Sequence, residues 1–328
     1  MKETLRTLPV SRPAPRVFDR HNDFWLGGSC QLADVTLVLP DACIDEMHTV
    51  LPALSRLADG EQPASTVLRG SVIAAVPRTV EFAAELCERL DHGVGTVIVD
   101  RFPAERWTDA DNRRVVALFA QLVSPLKPQG FDGTMLYDVI DRKLGDVSRV
   151  RRSITNLGQP YHTDGPWYES PARYIGLYCI RNAEHGGHSR VTSLLSAIDA
   201  LRTLDEGRHL QTLKTRLPWD RQGEHGDGEV TYLLHPLLVE GDTGVVARYY
   251  ESYVRRGHEL AGIDLPKAVD EALHALAGQL AAQSSVQFLL EPGQFQYANN
   301  YTVVHARDAF EDAPDAGRGR RLVRVWHA

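Results

Sequence analysis

Two residues, two positions apart, raise the first chemical question: His162 and Asp164 in "YHTDGPWYESP", residues 161–171. On an extended strand, residues i and i+2 point to the same side, so an imidazole and a carboxylate would converge on one point. That pair suits a metal ion. In a chain with 13 histidines it can also arise by chance, leaving His162 as a satisfied core histidine. A third donor stands 141 residues beyond Asp164, as His305 in "NNYTVVHAR". Two histidines and one carboxylate make the facial set of non-haem Fe(II) oxygenases, which leaves three coordination positions for substrate chemistry. Near the C-terminus, "RGRRLVRVW" sets Arg320 and Arg324 four apart, on one face of a strand. A guanidinium stays charged and binds a carboxylate through paired hydrogen bonds, so it would anchor a carboxylate-bearing cosubstrate.

Other candidates read more blandly. His185 and His188 in "EHGGH" have the spacing of a zinc pair, but they straddle a Gly-Gly turn with no cysteine nearby and read as a solvated turn. The basic cluster "RVRRS" at 149–153 reads as a solvated loop rather than a phosphate site. Tyr161, Trp167 and Tyr168 flank the H-x-D pair and would line a substrate pocket or pack in the core. Asn299 and Asn300 precede the His305 strand, where one would hydrogen-bond a loop backbone. The segment "HNDFW" around Trp25 has no relation to any motif.

The elements that must position these residues are a mixture of strands and helices. Apolar spacing predicts helices over 41–59 and 78–91, and "HGVGTVIVDRF" (92–102) reads as a buried strand. Thr108 and Asp111 stand in capping-box spacing ahead of a helix. After residue 150 the texture becomes strand-rich. "RYIGLYCIRNAEHGGHSRVTSLLSAIDAL" reads strand, Gly-Gly turn, short strand, helix. "TYLLHPLLVEGDTGVVARYY" reads as two strands joined by "EGDTG", "DLPKAVDEALHALAGQLAAQ" as an amphipathic helix, and "RRLVRVWHA" as a closing strand. The polar, Gly-rich "DRQGEHGDGEV" (220–230) is either a mobile loop over a site or an exposed connection. The whole reads as α+β: a barrel or sandwich of antiparallel strands carrying helices on its outside.

Composition narrows the class. With 328 residues, 43% of them apolar, the chain can bury a large core. A formal net charge of −7, without a basic stripe, argues against nucleic acid as partner. The four cysteines form no C-x-x-C pair, and Cys87 and Cys179 read as core thiols. "MKETLRTLPVSRPAPRVF" lacks the apolar run of a signal peptide, and no apolar stretch has membrane-spanning length, so a cytoplasmic location and no membrane partner are expected. Oligomeric state has no signature here.

Taken in order, "YHTDG", "HGGHSRV" and "VVHARDAFEDAPDAGRGRRLVRVW" resemble the TauD/TfdA-like family of Fe(II)- and 2-oxoglutarate-dependent dioxygenases, and are similar also to clavaminate synthase-like enzymes. "GTVIVDRFP" and "LPWDRQGE" extend the likeness from about residue 90 to the end. The resemblance implies a double-stranded β-helix (jelly-roll) core with helical insertions. The whole chain, 1–328, would be one catalytic domain: a mixed α/β part at 1–150, then jelly-roll motifs at 151–328 with a helical insertion around 194–285.

It also implies roles. His162, Asp164 and His305 would be the catalytic iron ligands. Arg320 would grip the far carboxylate of 2-oxoglutarate, helped by Ser189, which stands where the family usually has threonine. Arg324 would reach the prime substrate or support Arg320, and Tyr161 and Trp167 would also contact substrate. Arg307 would brace "DAFEDAPD" through its acidic residues. Fe(II), 2-oxoglutarate and O2 are the implied cofactor and cosubstrates, with succinate and CO2 released. The implied activity is hydroxylation or a related oxidation of a small molecule, an amino acid-like compound or a natural-product intermediate. An aspartate at 164, where halogenating relatives carry a small residue, speaks for oxidation. Two rivals remain. A silent binding protein would predict a damaged motif set. A metal-dependent hydrolase would lack an obvious base and leave Arg320 without a task.

Overall fold

The computed structural model describes residues 17–27, 30–54, 72–130, 132–144, 151–241, 244–314 and 319–328. Two sheets face one another. In the larger, β1 (Thr36–Val38) runs parallel to β2 (Thr96–Asp100), and the order continues antiparallel through β14 (Phe295–Asn299), β6 (Tyr174–Arg181), β17 (Arg321–His327) and β3 (Leu126–Lys127). β4 (Leu136–Val139) also pairs with β17. The smaller sheet has the order β13 (Val286–Phe288), β8 (Ser189–Ser193), β15 (Val303–Arg307), β5 (Gln159–His162). The fold is α+β with a jelly-roll core.

Side-chain alternation explains how both faces of the larger sheet are filled. Tyr174, Tyr178 and Ile180 of β6, with Val323 and Val325 of β17, join a cluster containing Leu86, Leu90, Val115 and Phe119 of the helices Pro77–His92 and Asp109–Val123. The intervening Ile175, Cys179, Leu322 and Trp326 turn the other way and meet Val191, Val303 and Phe288 of the smaller sheet. This parity carries Arg324 to the inter-sheet side with Leu322 and Trp326. On β15, Val303 faces the larger sheet and Val304 faces outward, so His305 points inward with Val303. Truncating a fully buried member such as Leu86 to alanine costs about 2–5 kcal/mol.

Local signals read from the sequence have physical counterparts. Thr108 caps the helix Asp109–Val123, its hydroxyl accepting from the Asp111 amide at 3.1 Å. The second helix spans Asp41–Leu54, and the end of the expected 41–59 helix lies outside the described residues. The Gly-Gly segment is tied down by a long-range pairing: β7 (His185–Gly186) runs antiparallel to β16 (Phe310–Glu311). Gly186 has φ 75°, and a Cβ there would lie 2.3 Å from the Ala309 carbonyl oxygen.

Between β8 and β13 come the helices Leu194–Ala200, Arg208–Leu213, Glu251–Ala261 and Lys267–Ala282, together with two β-ribbons. β9 (Leu217–Asp220) pairs with β10 (Tyr232–His235), and β11 (Leu238–Gly241) with β12 (Gly244–Ala247). The stretch read as two strands is therefore three. Pro236, with no N–H to donate, separates β10 from β11. Cys179 is buried as expected, whereas Cys87 is only half-buried, its thiol on the Val123 carbonyl at 3.3 Å.

Candidate active site

β5 and β15 pair antiparallel, with His162 directly opposite His305 and a register shift between His305 and Arg307. Bulges of this kind re-aim side chains, and here the two imidazoles come to 4.1 Å between ring centroids. Asp164 lies just past β5. Its Oδ1 is 3.4 Å from His162 Nε2 and 3.7 Å from His305 Nε2. Among the described residues these three are the group able to hold a metal ion, one donor atom from each lying within 4.8 Å of the others. His162 Nδ1 is 2.9 Å from the Pro160 carbonyl oxygen; a proton donated there leaves Nε2 with its lone pair toward the cluster.

Neighbouring groups fix the protonation states. Burial alone would raise the Asp164 carboxyl, but Arg324, followed by the two imidazoles, outweighs burial and holds it well below the usual carboxylate range. Burial, with His162 beside it, lowers His305 to about 3, so its ring is neutral at pH 7 and free to donate a lone pair. Asp164 is held by its backbone as well. Asn300 accepts from the Asp164 amide at 2.8 Å and donates to its carbonyl at 2.9 Å. The other asparagine, Asn299, donates to the Leu90 carbonyl at 3.2 Å, so both serve backbone contacts.

The cluster stands at the junction of two cavities that share His162, Asp164 and Arg324. One runs between the sheets and is lined by Ser189, Gln296, His305 and Arg320. Arg320 is 5% exposed and its guanidinium carbon lies 5.0 Å from the Phe310 ring centre. Burial lowers it to about 10, still well above neutral pH, so it remains charged. Among the described residues its Nη1 has no hydrogen-bond partner, and neither does either amide atom of the buried Gln296. Orphaned groups of this kind are costly unless a ligand satisfies them. A small dianion with a carboxylate at its far end fits that need, and the nearby His/Asp/His donor set fits a divalent metal open to substrate chemistry.

The other cavity is walled by Trp167, Tyr250, Tyr253 and Trp326, with Arg151 and Arg152 at its side. Tyr250 and Tyr253 stack with centroids 3.8 Å apart. Burial raises both phenols, so both stay protonated donors. Neither was singled out in the sequence, although "YYESY" at the start of Glu251–Ala261 carries the i, i+3 spacing that faces two side chains the same way. Gln129, Gln296 and Trp326 had no motif to betray them.

Three expectations need correction. Tyr161 does not reach either cavity at the cluster. It alternates with His162 along β5, packs against the outer helical cluster, and lines a separate groove with Tyr249 and Ala277. Arg307 does not bind the acidic loop. It donates to the carbonyls of Thr155, at 3.1 Å, and Leu157, securing the chain ahead of β5; Asp308 is paired with Arg190 instead. The "RVRRS" cluster is no solvated loop where described: Arg151 and Arg152 line the aromatic cavity, and Arg151 pairs with Glu224. Glu224 sits in the 220–230 segment, is 7% exposed, and also accepts from the Tyr168 hydroxyl. Gln222, Gly223 and His225 of that segment wall an adjoining outer cavity of about 550 Å³.

Fold, donor set and comparisons define the class. A family model described as "Taurine catabolism dioxygenase TauD, TfdA family" matches residues 74–326. The chain belongs to that family and is a 2-oxoglutarate-dependent dioxygenase that uses Fe(II) and O2. It is 26% identical over 262 residues to FR-33289 synthase of Streptomyces rubellomurinus, which covers 77% of this chain and 75% of that one. Among solved structures it is similar to the non-haem iron oxygenase OrfP in complex with Fe and alpha-ketoglutaric acid. That match has a TM-score of 0.67 and 17% identity, and it covers 89% of this chain and 94% of that one. It is similar also to an asparagine oxygenase in complex with Fe(II), 3-hydroxyasparagine and succinate. There the TM-score is 0.68 and the identity 16%, covering 89% and 93%. No helix among the described residues is long and apolar enough to cross a membrane.

Proposed function

We propose that His162, Asp164 and His305 hold the Fe(II), that Arg320 with Ser189 grips the far carboxylate of 2-oxoglutarate between the sheets, and that a small molecule is oxidised in the aromatic cavity beside Trp167. The observation that carries this reading is Arg320. It is a buried guanidinium whose Nη1 is unpartnered among the described residues, and it lines one cavity with all three donor residues. Held there, Fe(II) and 2-oxoglutarate would supply the activation of O2, with succinate and CO2 as the by-products of substrate oxidation.

The chain's own residues do the rest. Asp164 and neutral His305 supply donors without a proton to lose. Arg320, backed by Phe310 and by the Asp312 carboxylate on its amide at 2.7 Å, orients the cosubstrate end to end. Trp167, Tyr250 and Tyr253 exclude water from the substrate side. Arg324 lines both cavities, but its Nε is bound to Gln129 at 2.7 Å and its Nη1 to Asp164 at 3.1 Å, so its charge is largely spent within the protein. The substrate is an amino acid-like molecule or a natural-product intermediate. The names of the asparagine oxygenase and FR-33289 synthase support that choice. A metal-dependent hydrolase fits less well, because among the described residues neither cavity is lined by a glutamate to serve as base.

The test is an anaerobic titration of metal-free protein with Fe(II) and then 2-oxoglutarate. A weak visible charge-transfer band should form and be absent in His305→Ala. Fe(II) binding without the band would defeat the cosubstrate assignment.

A further inference from the structure

Among the described residues, the charges lining the aromatic cavity do not cancel. Three arginines line it: Arg151, Arg152 and Arg324. Arg151 is paired with Glu224, and Arg324 with Asp164. Arg152 makes no side-chain hydrogen bond or ion pair among the described residues. Among the described residues the cavity is lined by no carboxylate besides Asp164. The outer cavity adds Asp220, which is engaged by the Gln222 amide at 2.7 Å, and Arg256, which is paired with Glu259.

Arg152 stands at the passage between the two spaces. It lines both, together with Tyr250 and Tyr253. Its backbone is fixed, opening the 3-10 turn Arg152–Ile154, and its carbonyl accepts from the Thr155 amide at 3.2 Å and from Arg307 at 3.4 Å. Its positive charge reaches both the Tyr250 phenol and the desolvated Arg307 guanidinium. Arg307 feels Arg320 and Arg152 as like charges and Asp141 as a counter-charge, and an anion entering beside Arg152 eases the repulsion further.

We propose that Arg152 anchors an anionic group of the substrate. The molecule oxidised here is then acidic, carrying a carboxylate, phosphonate or phosphate that Arg152 grips at the passage while the rest of the molecule lies against the aromatic wall. The Tyr250 hydroxyl, which accepts from Tyr253, keeps its own proton and adds a neutral donor to the same group. The outer cavity, at about 550 Å³, has room for a metabolite-sized molecule. This deepens the oxygenase reading and rests on it for the word substrate. The anion site itself needs neither metal nor cosubstrate.

The experiment is calorimetric titration of the full-length protein with phenylphosphonate, benzoate and neutral benzamide, with and without Mn(II) and 2-oxoglutarate. The two anions should bind and benzamide should bind at least about tenfold more weakly, as expected for one charge-assisted contact. Arg152→Gln should weaken phenylphosphonate about ten- to hundredfold and erase the preference over benzamide. Arg152→Lys should keep most of the preference, which guards against a folding defect in the glutamine variant. Arg320→Gln should leave the preference intact, separating this site from the one between the sheets. Equal binding of benzamide and the anions, no anion binding at all, or undiminished binding in Arg152→Gln would overturn the proposal. A wild-type protein that shows the anion preference but no Fe(II)/2-oxoglutarate band would instead overturn the oxygenase reading and leave the anion site standing.

Discussion

The indole Nε1 of Trp326 donates to Oδ2 of Asp164 at 2.8 Å, and Arg324 Nη1 meets the same oxygen at 3.1 Å. Oδ2 is thus committed to the closing strand, while Oδ1 is the oxygen that faces the two imidazoles. One carboxylate oxygen is held by β17, and the other is the one a metal ion held by this group would meet. Gln129 completes the support, accepting from Arg324 Nε and donating to the Arg324 carbonyl at 2.8 Å.

Removing the indole donor should therefore loosen the ligand without deleting it. Trp326→Phe is expected to weaken Fe(II) binding about 10- to 100-fold, the usual effect of losing an outer hydrogen bond to a metal ligand. A competitive metal-binding titration reads this directly. Unchanged affinity in a folded variant would show that Arg324 alone orients Asp164.

His162→Ala should abolish iron-dependent succinate release, because a facial set reduced to two donors no longer holds the metal in place. Full activity in that variant would remove His162 from the ligand set.

Arg320→Ala should raise the 2-oxoglutarate KM by two to three orders of magnitude, since losing one partner of a buried, hydrogen-bonded charge pair costs about 2–5 kcal/mol. Arg321 is the natural control. It is bound to Asp109 at 2.8 Å and to Asp138 at 3.3 Å and lines neither cavity, so Arg321→Gln should leave that KM unchanged. A KM that responds to Arg321 and not to Arg320 would reverse the assignment.

Stability should fall in acid. Burial lowers His21 to about 4, with Arg20 adding to the effect, and lowers His327 to about 4. Each ring is held neutral in the fold, while the unfolded chain takes a proton near pH 6.5. Stability is therefore complete above pH 6.5 and drains away as pH falls toward 4, by about 2–3 kcal/mol per histidine. Denaturant unfolding of metal-free protein at pH 7 and 4.5 measures the loss, and His327→Gln should flatten it. An identical pH dependence in the variant would mean that other groups carry it.

Much of the site was legible because its donors have restricted chemistry. H-x-D, the distal histidine and the paired arginines stand out by type and order. What could not be read was orientation. Tyr161 and Trp167 look equivalent beside the motif, yet strand alternation turns Tyr161 outward, and the bend after Asp164 brings Trp167 in. "HNDFW" looked unattached. In the fold, His21 meets the Ser193 hydroxyl at 2.9 Å, the same hydroxyl that caps the helix Leu194–Ala200, and Trp25 is fully buried.

By itself, then, the sequence determined the donor types, their order and the local elements that carry them, since periodicity, caps and turn residues act over a few positions. Only the tertiary structure decided the long-range pairings: Trp326 on Asp164, Gln129 on Arg324, Gln296 beside Arg320, and Arg152 left without a partner among the described residues. Those contacts join residues as many as 195 positions apart, and their geometry is set by sheet order and strand register, which no local pattern encodes.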